Sequence, residues 1–363
     1  MYNKARTTTN NLIALAKRSF TKDCLLSNKH NPREVYKITN SLLKPRKAKV
    51  LPSVQNDASL SDQFSEFFHD KVSTIRQELS VNKPTNIFTE KKFEGRTLEN
   101  FCLATEDEIR ETIQKSASKS CSLDPLPTWI LKKSEVELIP VITQIVNTSL
   151  VGAEVCETLK TAHVTPLIKK STLDRNVLKN YRPVSNLSFI SKIIEKVVLN
   201  RFKYHLCENN LQEKFQSAYK KQHSTESALL RVHNDIVCSL DRKKPVSLVL
   251  LDLSAAFDTI DQSILLGRLE TRYGISGDAL KWFESYLNGR QSRIVIDTSQ
   301  SMPKVLDFGF PQGSVLGPVL FTAYTAPIGD IIREMGLDYH FYADDTQLYV
   351  ELDPSPDTTT SEL

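Results

Sequence analysis

Two acidic runs place carboxylates where apolar stretches stop: LVLLDLSAAFD, from Leu248 to Asp258, and FYADD, from Phe341 to Asp345. Leu248 to Leu251 form the continuous apolar run expected of a strand buried on both faces, which puts Asp252 at its carboxyl end. Asp344 and Asp345 lie between Phe341-Tyr342 and the run from Gln347 to Val350, which reads as a returning strand, so the adjacent acids sit at a hairpin tip. Neighbouring carboxylates repel and need a cation or solvent to coexist. Three brought together make a hard oxygen site suited to Mg²⁺, which takes substrate phosphates as further ligands, and hence a phosphoryl-transfer centre. Taken singly, each run has a plainer reading: an Asp-Asp turn is a solvated hairpin, and an Asp after a strand caps a helix.

Between the acids stands FGFPQGSVLGPVLF, with Gly309, Gly313 and Gly317 around Pro311, Gln312 and Pro318. Glycine lets backbone approach a ligand closely or adopt positive φ, and the Gln312 amide can donate and accept, which suits a surface beneath a base pair. The alternative is an ordinary turn before a helix that starts near Val315.

The order DLSAAFDTID, FPQGSVLGP, YADD resembles motifs A, B and C of reverse transcriptases, most of all those of non-LTR, LINE-type retrotransposons of the jockey and chicken-repeat group. LKNYRPVSNLSFISKIIEKVV and FQSAYKKQHSTESALLRVHNDI are similar to the fingers segments of these elements. LSDQFSEFFHDKVSTI and CSLDPLPTWILKK look like the stretch that joins endonuclease to polymerase. The resemblance thus covers nearly the whole chain. It implies an α+β fold, the fingers and palm of a right-hand polymerase around a small antiparallel catalytic sheet.

The same resemblance implies RNA-directed DNA synthesis, with an RNA template, a DNA primer and dNTP as partners and two Mg²⁺ (or Mn²⁺) ions as cofactors. Metals about 3.5–4 Å apart stabilise both the attacking and the leaving oxygens of an in-line displacement. By this likeness Asp252 and Asp344 ligate metal, Leu253 offers a backbone carbonyl, and Asp345 is the auxiliary acid. Phe257 falls where the family has its steric gate against a ribose 2′-hydroxyl; a core aromatic is its other reading. Arg182, Lys169 and Lys170 fall where the fingers hold a triphosphate, Arg with bidentate geometry and Lys as a point charge. Solvated surface is the alternative for both lysines. Gln312 and Gly313 would support the nascent base pair, and Tyr342 would lie near the primer end or simply pack in the hairpin.

The chain departs from the family in four places. It stops at Leu363, soon after YADD, so the thumb and primer grip are expected to be absent, as is the endonuclease. Gln262 stands where relatives have His, and Ala153-Glu154 replaces an expected glycine turn. The competing functional reading is therefore a catalytically silent nucleic-acid-binding remnant or domesticated protein. A nucleotidyl cyclase is disfavoured, since the fingers blocks and PQG have no role there.

Elements that could position these residues are legible from spacing. Helical periodicity marks 10–18, 32–43 and 61–79, and Thr105 with Glu108 starts a capping-box helix to about Ser116. Helices follow near 136–151, 188–209 and 224–240. Ser276 caps ISGDALKWFESYLNG, and Gly289 sits where its C-terminus needs glycine, before the strand SRIVIDT. The resulting domains are 1–80, a basic helical extension; 81–104, a polar linker; 105–245, fingers; 246–352, palm; and 353–363, a tail.

The net charge of +4 conceals an asymmetry: residues 1 to 50 hold twelve Lys or Arg against Asp23 and Glu34, about +10, leaving about −6 elsewhere. A basic arm suits a phosphate backbone, though a flexible leader would read the same way. The six cysteines form no CxxC pair, and a reduced intracellular setting, nucleus and cytoplasm, is expected. No apolar run nears the roughly 18 residues of a membrane span.

Overall fold

The computed structural model describes residues 2–29, 31, 34–35, 39, 51–52, 56–81, 91–118, 121–253 and 255–352. Residues 1–53 with 170–177 form one compact unit, and 54–169 with 178–363 another. In the smaller, helix α1 spans Tyr2–Ser27 and exposes Leu12, Ile13, Leu15 and Phe20. It extends well beyond the expected 10–18, whereas most of the expected helix at 32–43 and all of the tail at 353–363 lie outside the described residues.

The larger unit is built on a central helix. In α6 (Phe189–Glu208), Ser188 accepts a hydrogen bond from Ser191 N at 3.2 Å, and Ile193, Ile194, Val197, Val198 and Phe202 are buried, so apolar residues occupy more than one face. Such a helix must lie inside a core. Around it stand α3 (Glu106–Lys115), α4 (Thr128–Lys133), α5 (Glu135–Val151), α8 (Gln262–Thr271), α9 (Gly277–Leu287) and α10 (Gly317–Glu334). Trp282 stacks on Tyr286 with centroids 5.4 Å apart and meets Phe283 and Phe101 edge-on, the offset and T-shaped geometries that ring quadrupoles favour.

Two small sheets flank this core. In the first, β1 (Thr161–Ile168) pairs antiparallel with β2 (Tyr181–Asn186) and parallel with β4 (Gln291–Ile296); β5 (Ser299–Gln300) and β6 (Lys304–Val305) both pair with β4. Helix α2 (Asp57–Val81) packs on β4 and β5. The second sheet is antiparallel, in the order β3 (Val246–Leu251), β8 (Asp345–Glu351), β7 (Asp338–Tyr342). Helix α7 (Thr225–Asp241), closed by a Ser224–Ser227 capping box, packs on β3 and β7. The fold is thus mixed α+β with small sheets.

Three sequence expectations need correcting. The run Leu248–Leu251 is not buried on both faces: β3 is an edge strand paired to β8 alone, and Leu250 is 69% exposed. An apolar run alone cannot tell an edge from a centre, because strand order is non-local. Residues 91–104 are no free linker, since Phe93 N donates to Thr271 O at 2.8 Å, Leu98 N to Gly274 O at 2.8 Å, and Ala104 N to Asn147 Oδ1 at 2.8 Å. The boundary near 80 is displaced as well; α2 belongs to the larger unit, and the division falls at 53.

At α3, Thr105 caps Glu108 N as expected, but the Glu108 side chain pairs with Arg201 instead of closing the box. Ala153 itself takes the positive φ, 51°, that its position suggested for glycine. Gly289, with φ of 71°, follows α9 as expected.

Candidate active site

The three motif blocks interlock through backbone. After β3 the chain turns at Ala255 (φ 54°), with Asp258 N donating to Ala255 O at 2.8 Å. Gly309 packs on this turn: its N–H donates to Ile260 O at 2.7 Å, and a Cβ there would lie 2.4 Å from Phe257 O. Gly313 (φ 119°) meets β2 in the same way, since a Cβ would lie 2.6 Å from Ser185 O, while Ser185 N donates to Gln312 O at 2.9 Å. A side chain at either glycine would push these segments apart. The PQG loop is therefore clasped between the first acidic block and the strand that carries Arg182.

Asp252, Leu253 and Asp344 line one cavity of about 480 Å³ together with Lys169, Arg182 and Gln312. Lys169 and Arg182 are exposed at its wall, and Lys169 Nζ donates to Lys179 O at 2.9 Å. Lys170 is exposed in the smaller unit. Asp345 pairs with Tyr342 across the turn at Ala343 and Asp344, the hairpin tip expected of YADD. Partial burial, then the Asp344 and Asp252 carboxylates, push the Asp345 carboxyl above its ordinary range. Hard oxygen donors that repel in this way suit a divalent cation. Among the described residues no three His, Cys, Asp or Glu side chains stand close enough to hold an ion as they are.

Phe257 faces elsewhere. Its ring stacks on Phe321, 4.9 Å away, meets Phe310 edge-on at 5.5 Å, and packs against the main core; Phe310, not Phe257, lines the cavity.

Three residues without a role in the sequence reading hold this arrangement. Asp258 ends the first acidic run, and Gln312 Nε2 donates to both its carboxylate oxygens, at 3.0 and 2.9 Å. Burial pushes the Asp258 carboxyl up to about 6, against the pull of Gln312 and Lys71. Glu195 is buried in α6 and accepts from Val315 N at 2.6 Å, Leu316 N at 3.1 Å and Tyr286 Oη at 3.2 Å, so a carboxylate caps the entry to α10. Burial raises its pKa, opposed by Arg290.

Gln216 grips the hairpin itself: Nε2 donates to Ala343 O at 3.3 Å and Oε1 accepts from Ala343 N at 3.1 Å and Ala218 N at 2.9 Å. Ser217 N to Phe341 O at 3.0 Å and Phe341 N to Phe215 O at 2.8 Å seat this segment beside β7. Ala343 has a φ of 58°, unfavourable for a residue with Cβ, and Gln216 holds both its polar groups. Only the position of Gln216 within a fingers-like segment hinted at such a part. Gln262, at the start of α8, donates to Gly309 O at 2.9 Å.

Residues 168–356 match the reverse transcriptase (RNA-dependent DNA polymerase) family. The chain is similar to the probable RNA-directed DNA polymerase from transposon BS of Drosophila melanogaster, 29% identical over 228 residues, which are 61% of this chain and 24% of that protein. It is equally similar to the RNA-directed DNA polymerase from mobile element jockey of Drosophila funebris, 29% identical over 229 residues with the same two shares. The probable polymerase from transposon X-element of Drosophila melanogaster is 30% identical over 146 residues, 40% of this chain and 16% of that protein. The chain thus spans about a quarter, 24%, of the length of the first two relatives. With the motif blocks in order and interlocked, the chain belongs to the reverse transcriptase family, among those of LINE-type, non-LTR retrotransposons.

Proposed function

We infer that this chain carries the fingers and palm of an RNA-directed DNA polymerase that extends a DNA primer along an RNA template. What supports this most is the convergence of Asp252, Leu253 and Asp344 with Lys169 and Arg182 on one cavity. Two divalent ions, Mg²⁺ or Mn²⁺, would be held by Asp252, the Leu253 carbonyl and Asp344, with Asp345 as auxiliary acid; bound there, they supply charge stabilisation for the attacking and leaving oxygens. Arg182 and Lys169 orient the triphosphate of a dNTP, the guanidinium by its fork and the ammonium as a point charge. Gln312, tied to Asp258, and Gly313, seated on Ser185, form the surface under the new base pair. Tyr342 stands beside the hairpin tip at the primer end.

A second reading, nucleic-acid binding without turnover, is favoured by one observation: residues 1 to 50 carry a charge of about +10. No described helix is long and apolar enough to cross a membrane, and all six cysteines are free.

The deciding experiment is Mn²⁺ binding followed by electron paramagnetic resonance, alongside primer extension on an RNA template. Binding that is lost in Asp344→Asn, with extension that needs the metal, supports the polymerase. Oligonucleotide binding with neither metal uptake nor extension leaves the silent reading.

A further inference from the structure

A second cavity, of about 520 Å³, opens beside the hairpin and is no part of the site described above. Its lining includes Lys203 and Tyr204 from α6, and Tyr219, Lys220, Lys221 and His223 from the segment that leads to α7. On α6 the positions Lys196, Asn200, Lys203 and Cys207 recur at three- and four-residue spacing, so these side chains share one face.

The charges here are unmatched. Among the described residues no hydrogen bond or ion pair holds the ammonium of Lys196, Lys203 or Lys221. Burial, then the like charges of Lys196 and Lys221, depress the Lys203 amine. The acid in the lining, Glu213, is already engaged by Arg333 at 3.1 Å and by Tyr339 Oη at 2.7 Å. Lys220 Nζ donates to Glu213 O at 2.6 Å and so faces a carbonyl, not a carboxylate. Like charges crowded on a concave surface are relieved by an anion that bridges them. Interleaved with them are two exposed aromatic rings, Tyr204 at 68% and Tyr219 at 42%. Cations that track a backbone, set among rings on which bases stack, are what an unpaired nucleic-acid strand needs.

The cavity also adjoins the hairpin. Gln216 is in its lining while holding Ala343, and the Tyr219 hydroxyl is raised by burial, then by Asp344 and Tyr342.

We propose that this cavity seats an unpaired strand of RNA or DNA, with phosphates on Lys203 and Lys221 and a base stacked on Tyr204. The assignment rests on the polymerase reading for its purpose, but not for its test.

The test uses the 363-residue chain in EDTA, without dNTP, and measures the affinity of labelled twelve-nucleotide oligo(rU) and oligo(dT) across a salt series. Each phosphate contact on a single strand contributes about −0.7 to the slope of log K against log salt. Lys203→Ala/Lys221→Ala should therefore flatten the slope by about 1.4. Tyr204→Ala should weaken binding roughly tenfold with the slope unchanged, since stacking releases no counterions. A difference between the two oligonucleotides shows which sugar the cavity prefers. Unchanged slope and affinity in the lysine variant, with its melting curve intact, overturn the proposal. Lys169→Ala/Arg182→Ala, read by dNTP binding, tests the polymerase site separately: loss there with no effect of the Lys203/Lys221 pair removes this site alone. Failure of the unaltered chain to bind either oligonucleotide removes both. Equal weakening of heparin binding by Tyr204→Ala also counts against a strand, since heparin has no bases to stack.

Discussion

Gln312 spans the Asp258 carboxylate, its single amide nitrogen reaching both oxygens at 3.0 and 2.9 Å. Because burial lifts Asp258 to about 6, the folded chain binds this proton more tightly than the unfolded chain, where a carboxylate titrates near 4. The stability contributed is present below the unfolded pKa and is lost as pH rises through about 6. Between pH 5 and 7 the loss should be roughly 1 kcal/mol. Urea unfolding at both pH values, with Asp258→Asn alongside, checks this: the variant should lack that part of the pH slope. Parallel slopes would dissociate Asp258 from the effect.

Asp344→Asn should abolish Mn²⁺ uptake at the hairpin and, in any polypeptide that contains this chain and extends primers, lower extension by several orders of magnitude. Near-normal extension would remove Asp344 from the metal set.

For Phe257, the stacked contact with Phe321 leads to a packing effect. Phe257→Ala should cost roughly 3 kcal/mol, as aromatic truncations in a core do, visible as a lower urea midpoint. In Phe257→Leu, which keeps more of the volume, the ratio of ribonucleotide to deoxynucleotide incorporation should stay unchanged. A raised ratio with the fold intact would restore the steric gate.

Glu195→Ala should be among the most damaging substitutions. It strips the carboxylate from the Val315 and Leu316 amides and leaves Arg290, which is fully buried, without its opposing charge. Leaving a buried donor unsatisfied costs about 1–3 kcal/mol. A midpoint shift of the kind seen at a surface residue would show that the two amides find another acceptor.

Deleting residues 1 to 50 should flatten the salt dependence of RNA binding independently of Lys203 and Lys221, since this segment carries about +10. Combining both changes should give an additive loss of slope; a deletion without effect would make the segment a leader.

The hairpin tip, the helix entries at Thr105, Ser188 and Ser224 and the glycine after α9 were all legible, because caps and turns are local chemistry. What stayed hidden depends on partners distant in sequence. Nothing local in FQSAYKK says that Gln216 meets Ala343, 127 positions away, or in IIEKVV that Glu195 meets Val315, 120 away. Leu248–Leu251 misled for the same reason: its exposure follows from an edge place in the sheet. The blocks bearing Asp252, Gln312 and Asp344 could be named in order, but their interlocking at Gly309 and Gly313 required the fold.

If the proposed metal and strand are both bound, the Gln216 grip on Ala343 would link their occupancies thermodynamically. Whatever settles against Gln216 from the cavity side restrains the backbone that presents Asp344, so part of the ordering cost of that turn is met before a metal arrives. Linkage is reciprocal: if a bound strand tightens metal binding by some factor, metal must tighten strand binding by the same factor. A chain with Gln216→Met should then bind each ligand as though the other were absent.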